Sequence, residues 1–259
     1  MTLPKLFLSH GSPMMALAEC NATRFWQMLG AELPKPGEIL MVSAHWDAPQ
    51  PAVSTATQPE TIHDFYGFPE ALYQLRYPAP GAPQLAERAA ALINAAGLGP
   101  VATGERGLDH GAWAPLRFMF PAYDIPVTQL AVQSHLGPAH HYAMGRALAP
   151  LADEGVLIIG SGGSSHNLRE LRSVAEGAPP PAWMSEFVRW VRAMIEQRNH
   201  NALLDYVQQA PHAQRNHPTD EHFLPLFVAL GAAGAGARVT RELSGEADRA
   251  LALDSYVFA

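Results

Sequence analysis

The chain of 259 residues contains one cysteine, Cys20. An intramolecular disulfide is therefore excluded, and so is every metal site built on two or more thiolates. Any bound metal must take histidine, aspartate or glutamate. Lysine is almost as scarce: Lys5 and Lys35 are the only two, the formal net charge is −7, and no basic stripe runs along the chain. Nucleic acid is not an expected partner of such a surface. Long apolar runs are lacking too. The longest, residues 223–237, holds Pro225, Gly231, Gly234 and Gly236 and falls short of the roughly 20 residues a membrane span needs. No membrane partner is expected. The opening MTLPKLFLSHGSP has no charged leader or cleavable apolar segment, so it reads as a first strand and the cytoplasm is the expected location.

What is present is enough for one sizeable core. Hydrophobic residues make up 48% of the chain and charged residues 16%, and neither a composition shift nor a repeat divides it. One domain over residues 1–259 is expected. Short apolar runs at 3–8, 39–43, 127–132 and 156–159 read as strands covered on both faces. Between and after them the spacing predicts helices at 22–30, 83–96, 140–151, 183–197 and 202–209. A further helix is expected from Glu221 to about Leu230, with Thr219 or Asp220 as its N-cap. Residues 238–243 and 255–258 read as late strands, and 177–181 and 211–218 as surface loops that could act as lids. The order implies an α/β fold: a mostly parallel central sheet flanked by helices, with a ligand crevice beyond the carboxyl ends of the strands.

Twelve histidines are the unusual stock of this chain. Three of them, His10, His45 and His166, follow the predicted strands KLFLS, ILMVS and VLII, so all three can converge on that crevice. For one such residue a hydrogen bond to backbone is reading enough; for three, a metal or acid–base site is the better one. Gly160, Gly162 and Gly163 beside His166 are read as leaving space for a ligand. They make neither a phosphate loop, since no GK[ST] follows, nor a nucleophile elbow. In TDEH, His222 is a fourth candidate, with only one of Glu221 and His222 able to face the crevice. In DHGAW, Asp109 either orients His110 or caps the helix that carries Trp113. Loop or surface roles suffice for most of His63, His135, His140, His141, His200, His212 and His217.

Taken together, LSHGSP (8–13), SAHW (43–46), TIHDFYGFP (61–69), YPAPG (77–81), DHGAW (109–113), SHNL (165–168) and EHFLPL (221–226) resemble the class III extradiol ring-cleavage dioxygenases. Within that superfamily they are similar to the DOPA 4,5-dioxygenase extradiol-like proteins. The resemblance implies an oxidoreductase that opens a catechol ring, on a DOPA-like small molecule, with O2. It implies one non-haem divalent metal per chain, Fe(II) for activity, with Zn(II) also able to occupy the site. By the same resemblance His10, His45 and His222 are metal ligands, and His166 is a fourth ligand or the catalytic acid–base. His110 is a second active-site histidine. More distant members use a glutamate as third ligand, so Glu221 competes with His222. Trp46, Phe65, Tyr66 and Trp113 are candidate walls for the aromatic ring, and His63 is a candidate partner for a carboxylate on the substrate. The rival readings are a zinc-dependent hydrolase, a metallochelatase, which LSHGSP also resembles, and a metal-binding protein without catalysis.

Overall fold

A computed structural model describes residues 2–175 and 177–259. The strands are β1 (Lys5–Ser9), β2 (Glu38–Asp47), β3 (Ala52–Ser54), β4 (Ala102–Gly104), β5 (Val127–Val132), β6 (Val156–Gly162), β7 (Val239–Leu243), β8 (Ala247–Asp248), β9 (Leu251–Ala252) and β10 (Ser255–Phe258). The helices are α1 (Asn21–Glu32), α2 (Glu70–Tyr73), α3 (Pro83–Ala95), α4 (His110–Met119), α5 (Gly137–Leu148), α6 (Ala182–Glu196), α7 (His200–Leu204), α8 (Tyr206–Gln209), α9 (Ala213–Asn216) and α10 (Leu224–Ala233).

Eight strands form one sheet in the order β4-β3-β5-β2-β6-β1-β10-β7. Its centre, β5-β2-β6-β1, is parallel throughout, whereas β10 and β7 join antiparallel at one edge. The fold is thus the expected single α/β domain. Side-chain alternation along each strand divides the core in two. Leu6, Leu8, Ile39, Met41, Leu157 and Ile159 face Trp26, Leu29, Trp113 and Leu116 of α1 and α4. On the other face Phe7, Leu40, Val42 and Ile158 meet the helices of the second layer, among them α10, where Leu224 to Ala232 are all buried.

Several boundaries depart from the sequence reading. The expected helix from Glu221 begins at Leu224 instead, because Pro225 belongs in a first helical turn; residues 221–223 form a preceding turn closed by the Phe223 N–H on the Asp220 carbonyl. Pro138 likewise starts α5 at Gly137, and residues 149–154, with Pro150, tighten into a 3-10 turn. The helix expected at 202–209 breaks at Asp205 into α7 and α8, and the 211–218 loop contains α9. β2 runs on to Asp47, so His45 lies within the strand rather than after it.

The glycines of β6 do not open space for a ligand. A Cβ on Gly162 would stand 2.0 Å from the His222 carbonyl oxygen, and one on Gly160 would stand 2.2 Å from that of Pro225. Their bare Cα atoms let the approach to α10 lie directly on the strand.

Candidate metal centre

His10 leaves the end of β1 tied to β6 by its own N–H, which donates to the Gly162 carbonyl at 3.0 Å. His45 projects from β2, and His222 is carried by the turn ahead of α10, whose carbonyl accepts the Gly163 N–H at 2.8 Å. These three anchor points bring three ring nitrogens together. His10 Nε2 lies 3.0 Å from His45 Nε2, and His222 Nε2 lies 3.3 Å from the same atom.

The far nitrogen of each ring already has a partner. His10 Nδ1 meets Ser161 Oγ at 3.0 Å, and that hydroxyl donates onward to the Gly111 carbonyl, so it accepts from the ring. His45 Nδ1 donates to Asp64 Oδ2 at 3.1 Å, and His222 Nδ1 to Glu221 Oε1 at 3.1 Å. A carboxylate or a committed hydroxyl can only accept here, so all three rings carry their proton on Nδ1 and turn an Nε2 lone pair inward. Burial, reinforced by the neighbouring rings, pushes His10 and His222 well below the ordinary histidine pKa, so protons do not occupy those lone pairs near neutrality. Three facing lone pairs repel one another unless a cation lies among them. The donor set therefore fits one divalent ion, and His10, His45 and His222 form a group able to hold one. Glu221 meets the His222 ring at Nδ1, on the side away from the triplet, and is itself grouped with His166 and His222.

His166 stands differently. Its ring stacks on His222 with centroids 3.3 Å apart and planes 7° from parallel, and its backbone N–H is held by the Asn216 carbonyl. It does not belong to the triplet of His10, His45 and His222, but to a second group with Glu221 and His222. Burial, followed by repulsion from His217, lowers its pKa to about 3.

His110 opens α4 on the opposite side, its ring centroid 4.0 Å from that of His45. Asp109 is the helix cap, accepting from Ala112 N–H at 3.2 Å, and it also accepts from Ser43, Arg106 and Gln129. It does not orient His110. That work falls to Asp64, whose Oδ1 accepts from His110 Nδ1 at 2.9 Å and from the His110 backbone N–H at 3.0 Å. Burial alone would raise the Asp64 carboxyl, but the bonds from His110 and His45 outweigh it and hold the group well below the usual carboxylate range. Asp64 escapes sequence reasoning because it sits in a loop without periodicity. Its only sequence signal is an acid placed within TIHDFYGFP.

Among the aromatic candidates, Phe65 lies edge-on to His110 at 5.6 Å and to His63 at 5.7 Å. His63 also meets Tyr73 and Trp113, and its Nε2–H donates to the Leu75 carbonyl at 3.1 Å. Tyr66 is not brought in: it is 92% exposed. Trp46 lies beneath the Arg106 guanidinium, 5.0 Å from it, and alternation along β2 turns it away from the face that carries His45. A cleft of about 650 Å³ lies beside the HGSP turn, lined by Ser12, Met15, Phe68, Leu171 and Leu253 among others.

Fold and site together define an α/β enzyme class with a histidine-rich cluster at the strand ends that could hold a metal ion. Residues 4–248 match the family described as the catalytic LigB subunit of aromatic ring-opening dioxygenase. The 4,5-DOPA dioxygenase extradiol of Beta vulgaris is 45% identical over 236 residues, which span 90% of this chain and 87% of that one. The protein of the same name in Escherichia coli strain K12 is 43% identical over 235 residues, 89% of this chain and 85% of that one. A crystal structure of an uncharacterized protein from Escherichia coli K12 superposes with a TM-score of 0.80 at 35% identity, covering 98% of this chain and 99% of the other. The chain belongs to the LigB family of class III extradiol ring-opening dioxygenases. That membership decides against the hydrolase and chelatase readings. No helix of the described residues is long and apolar enough to cross a membrane.

Proposed function

We propose that this enzyme opens the ring of a DOPA-like catechol beside its hydroxyl pair, adding both atoms of O2 to give a muconic semialdehyde-type product. His10, His45 and His222 hold one Fe(II), and Zn(II) fits the same nitrogens. The carrying observation is the triangle of inward Nε2 atoms, each ring locked from behind. When bound, the iron supplies the Lewis acidity toward the catechol and the redox chemistry that lets triplet O2 react. The chain does the rest. His166, stacked on His222 beside the triplet, takes a hydroxyl proton from the catechol and returns it during ring opening. His110, held as the Nδ1–H tautomer by Asp64, presents Nε2 to the substrate or oxygen. Phe65 flanks His110 and touches Phe68 at 5.4 Å, and Phe68 lines the neighbouring cleft, which supports that cleft as the substrate approach. His63 stands behind Phe65 as a candidate for the substrate's polar tail. Residues 1–259 work as one catalytic domain in this reading, and the cytoplasm is its expected compartment.

The test is oxygen uptake by the anaerobically iron-loaded protein, with DOPA and unsubstituted catechol as substrates. Equimolar consumption of O2 and catechol with a yellow ring-opened product is expected. Failure to turn over any of a panel of catechols, at confirmed iron occupancy, would overturn the proposal.

A further inference from the structure

The loop residue Asp64 has one carboxylate and two histidine clients. Oδ2 accepts from His45 Nδ1 at 3.1 Å, while Oδ1 accepts from His110 Nδ1 at 2.9 Å and from the His110 backbone N–H at 3.0 Å. The two rings lie side by side with centroids 4.0 Å apart. His45 belongs to the triplet with His10 and His222, whereas His110 is grouped with His45 and Asp64. A carboxylate carries no proton to donate, so both rings are obliged to bear theirs on Nδ1 and to leave Nε2 as an acceptor. Gly111, next in the chain after His110, would bring a Cβ to 3.1 Å from both the His10 and His45 rings, so α4 begins as near to the triplet as a backbone can.

We infer that Asp64 is a shared positioning residue, which through one carboxylate selects the metal-binding tautomer of His45 and the proton-accepting tautomer of His110. Metal retention and proton handling then depend on the same side chain. The inference rests on the reading of His10, His45 and His222 as metal nitrogens, but not on the identity of the substrate.

The geometry makes the effect of Asp64→Asn directional. An amide offers one oxygen and one NH2. Two N–H groups of His110 converge on the Oδ1 position, so the carbonyl oxygen stays there and the NH2 turns to His45. An NH2 facing Nδ1 requires a lone pair on that atom, which moves the His45 proton to Nε2 and removes a metal ligand. Zinc alone, in competition with a chromophoric chelator, reads this without any turnover. Asp64→Asn is expected to weaken zinc binding by about 10–100-fold, the usual range for losing such a supporting carboxylate. His110→Ala, which leaves Asp64 on His45, is expected to bind zinc as the unsubstituted protein does.

A second measurement begins with the unsubstituted protein. Nitrogen-15 spectra of the zinc-free protein report which ring nitrogen of each histidine carries the proton. His45 and His110 should both be Nδ1–H, and in Asp64→Asn His45 alone should switch. A residue that merely fills space would leave those tautomers unchanged. Unaltered zinc affinity in Asp64→Asn, or an Nε2–H tautomer at either ring of the unsubstituted protein, would overturn the inference. If the unsubstituted protein took up no zinc at all, the metal reading beneath it would fall as well, and the two failures are thereby distinguished.

Discussion

Gly162→Ala is the substitution on which the placement of His222 can be judged most directly. A Cβ added at Gly162 would sit 2.0 Å from the His222 carbonyl oxygen and 3.0 Å from its carbonyl carbon, where ordinary contact begins at 3.4 Å. The strand and the turn must therefore separate by about 1.4 Å. The strand cannot yield cheaply, since β6 is hydrogen-bonded to β1 and β2 and wholly buried. The turn carrying His222 is the part that moves. Its carbonyl also accepts from Gly163 N–H, so that bond is strained at the same time. Overpacking of this kind costs about 1–3 kcal/mol, and a clash with backbone belongs at the upper end. In a chain of this size that is a fall in Tm of about 6 °C or more. The larger effect is on the metal, because ligand distances tolerate only about 0.2 Å of error. Zinc titration and thermal melts of Gly162→Ala are the assay, with Gly236→Ala as control, since a Cβ there meets nothing within 4 Å. A Gly162→Ala protein that binds zinc with native affinity and melts at the native temperature would refute the argument that this contact places the ligand.

Two further outcomes are expected. His45→Ala should abolish zinc binding, whereas His110→Ala should retain the metal while turnover falls by about 10²–10⁴-fold, as for a lost acid–base group; zinc loss in His110→Ala would reverse the roles assigned here. Stability should rise with pH across the acid range. His141 and His217, held by burial at about 4 against an unfolded value of 6.5, each contribute about 3 kcal/mol that is complete above pH 6.5 and lost as pH falls toward 4. Asp254 acts in the opposite sense, because burial raises its carboxyl from 3.8 to about 7 and so withdraws about 4 kcal/mol as pH climbs through that window. The two histidines together outweigh it, so melts recorded from about pH 4 to pH 7 should show Tm increasing, and a flat or falling profile would contradict these assignments.

Much of the fold was legible because its signals are local. Short apolar runs such as ILMVS and VLII, bounded by Gly, Pro and polar residues, read as strands covered on both faces, and Pro83 with Gly97 brackets α3 in the expected way. Boundaries went astray where proline decided them. Pro138 and Pro225 each demanded a place in a first turn and moved the helix start to suit. β3 and β4 were not legible, being three residues long and too short to show a period.

The histidines of the site were legible because parallel strands deliver their carboxyl ends to one edge, and His10 and His45 lie at such ends. His222 was harder, being one turn outside a helix, and needed the family resemblance. The partners that orient those histidine rings were not legible. Ser161, Asp64 and Glu221 lie 151, 19 and 1 residues from the rings they serve, and nothing in residue spacing distinguishes them from other polar side chains. The single cysteine follows the same division. Its number alone excluded an intramolecular disulfide and multi-thiolate metal sites; only the structure shows it starting α1, its N–H donating to Thr23 Oγ1.

By itself, then, the sequence determined the residue chemistry available and the order of strands and helices, because composition and periodicity act over a few neighbouring residues. Tertiary structure decided which ring nitrogens face one another, the ring that stacks on His222, and the glycines that admit a carbonyl rather than a ligand. Those outcomes depend on distances of about 3 Å between segments far apart in the chain, and they exist only once the sheet has brought the segments together.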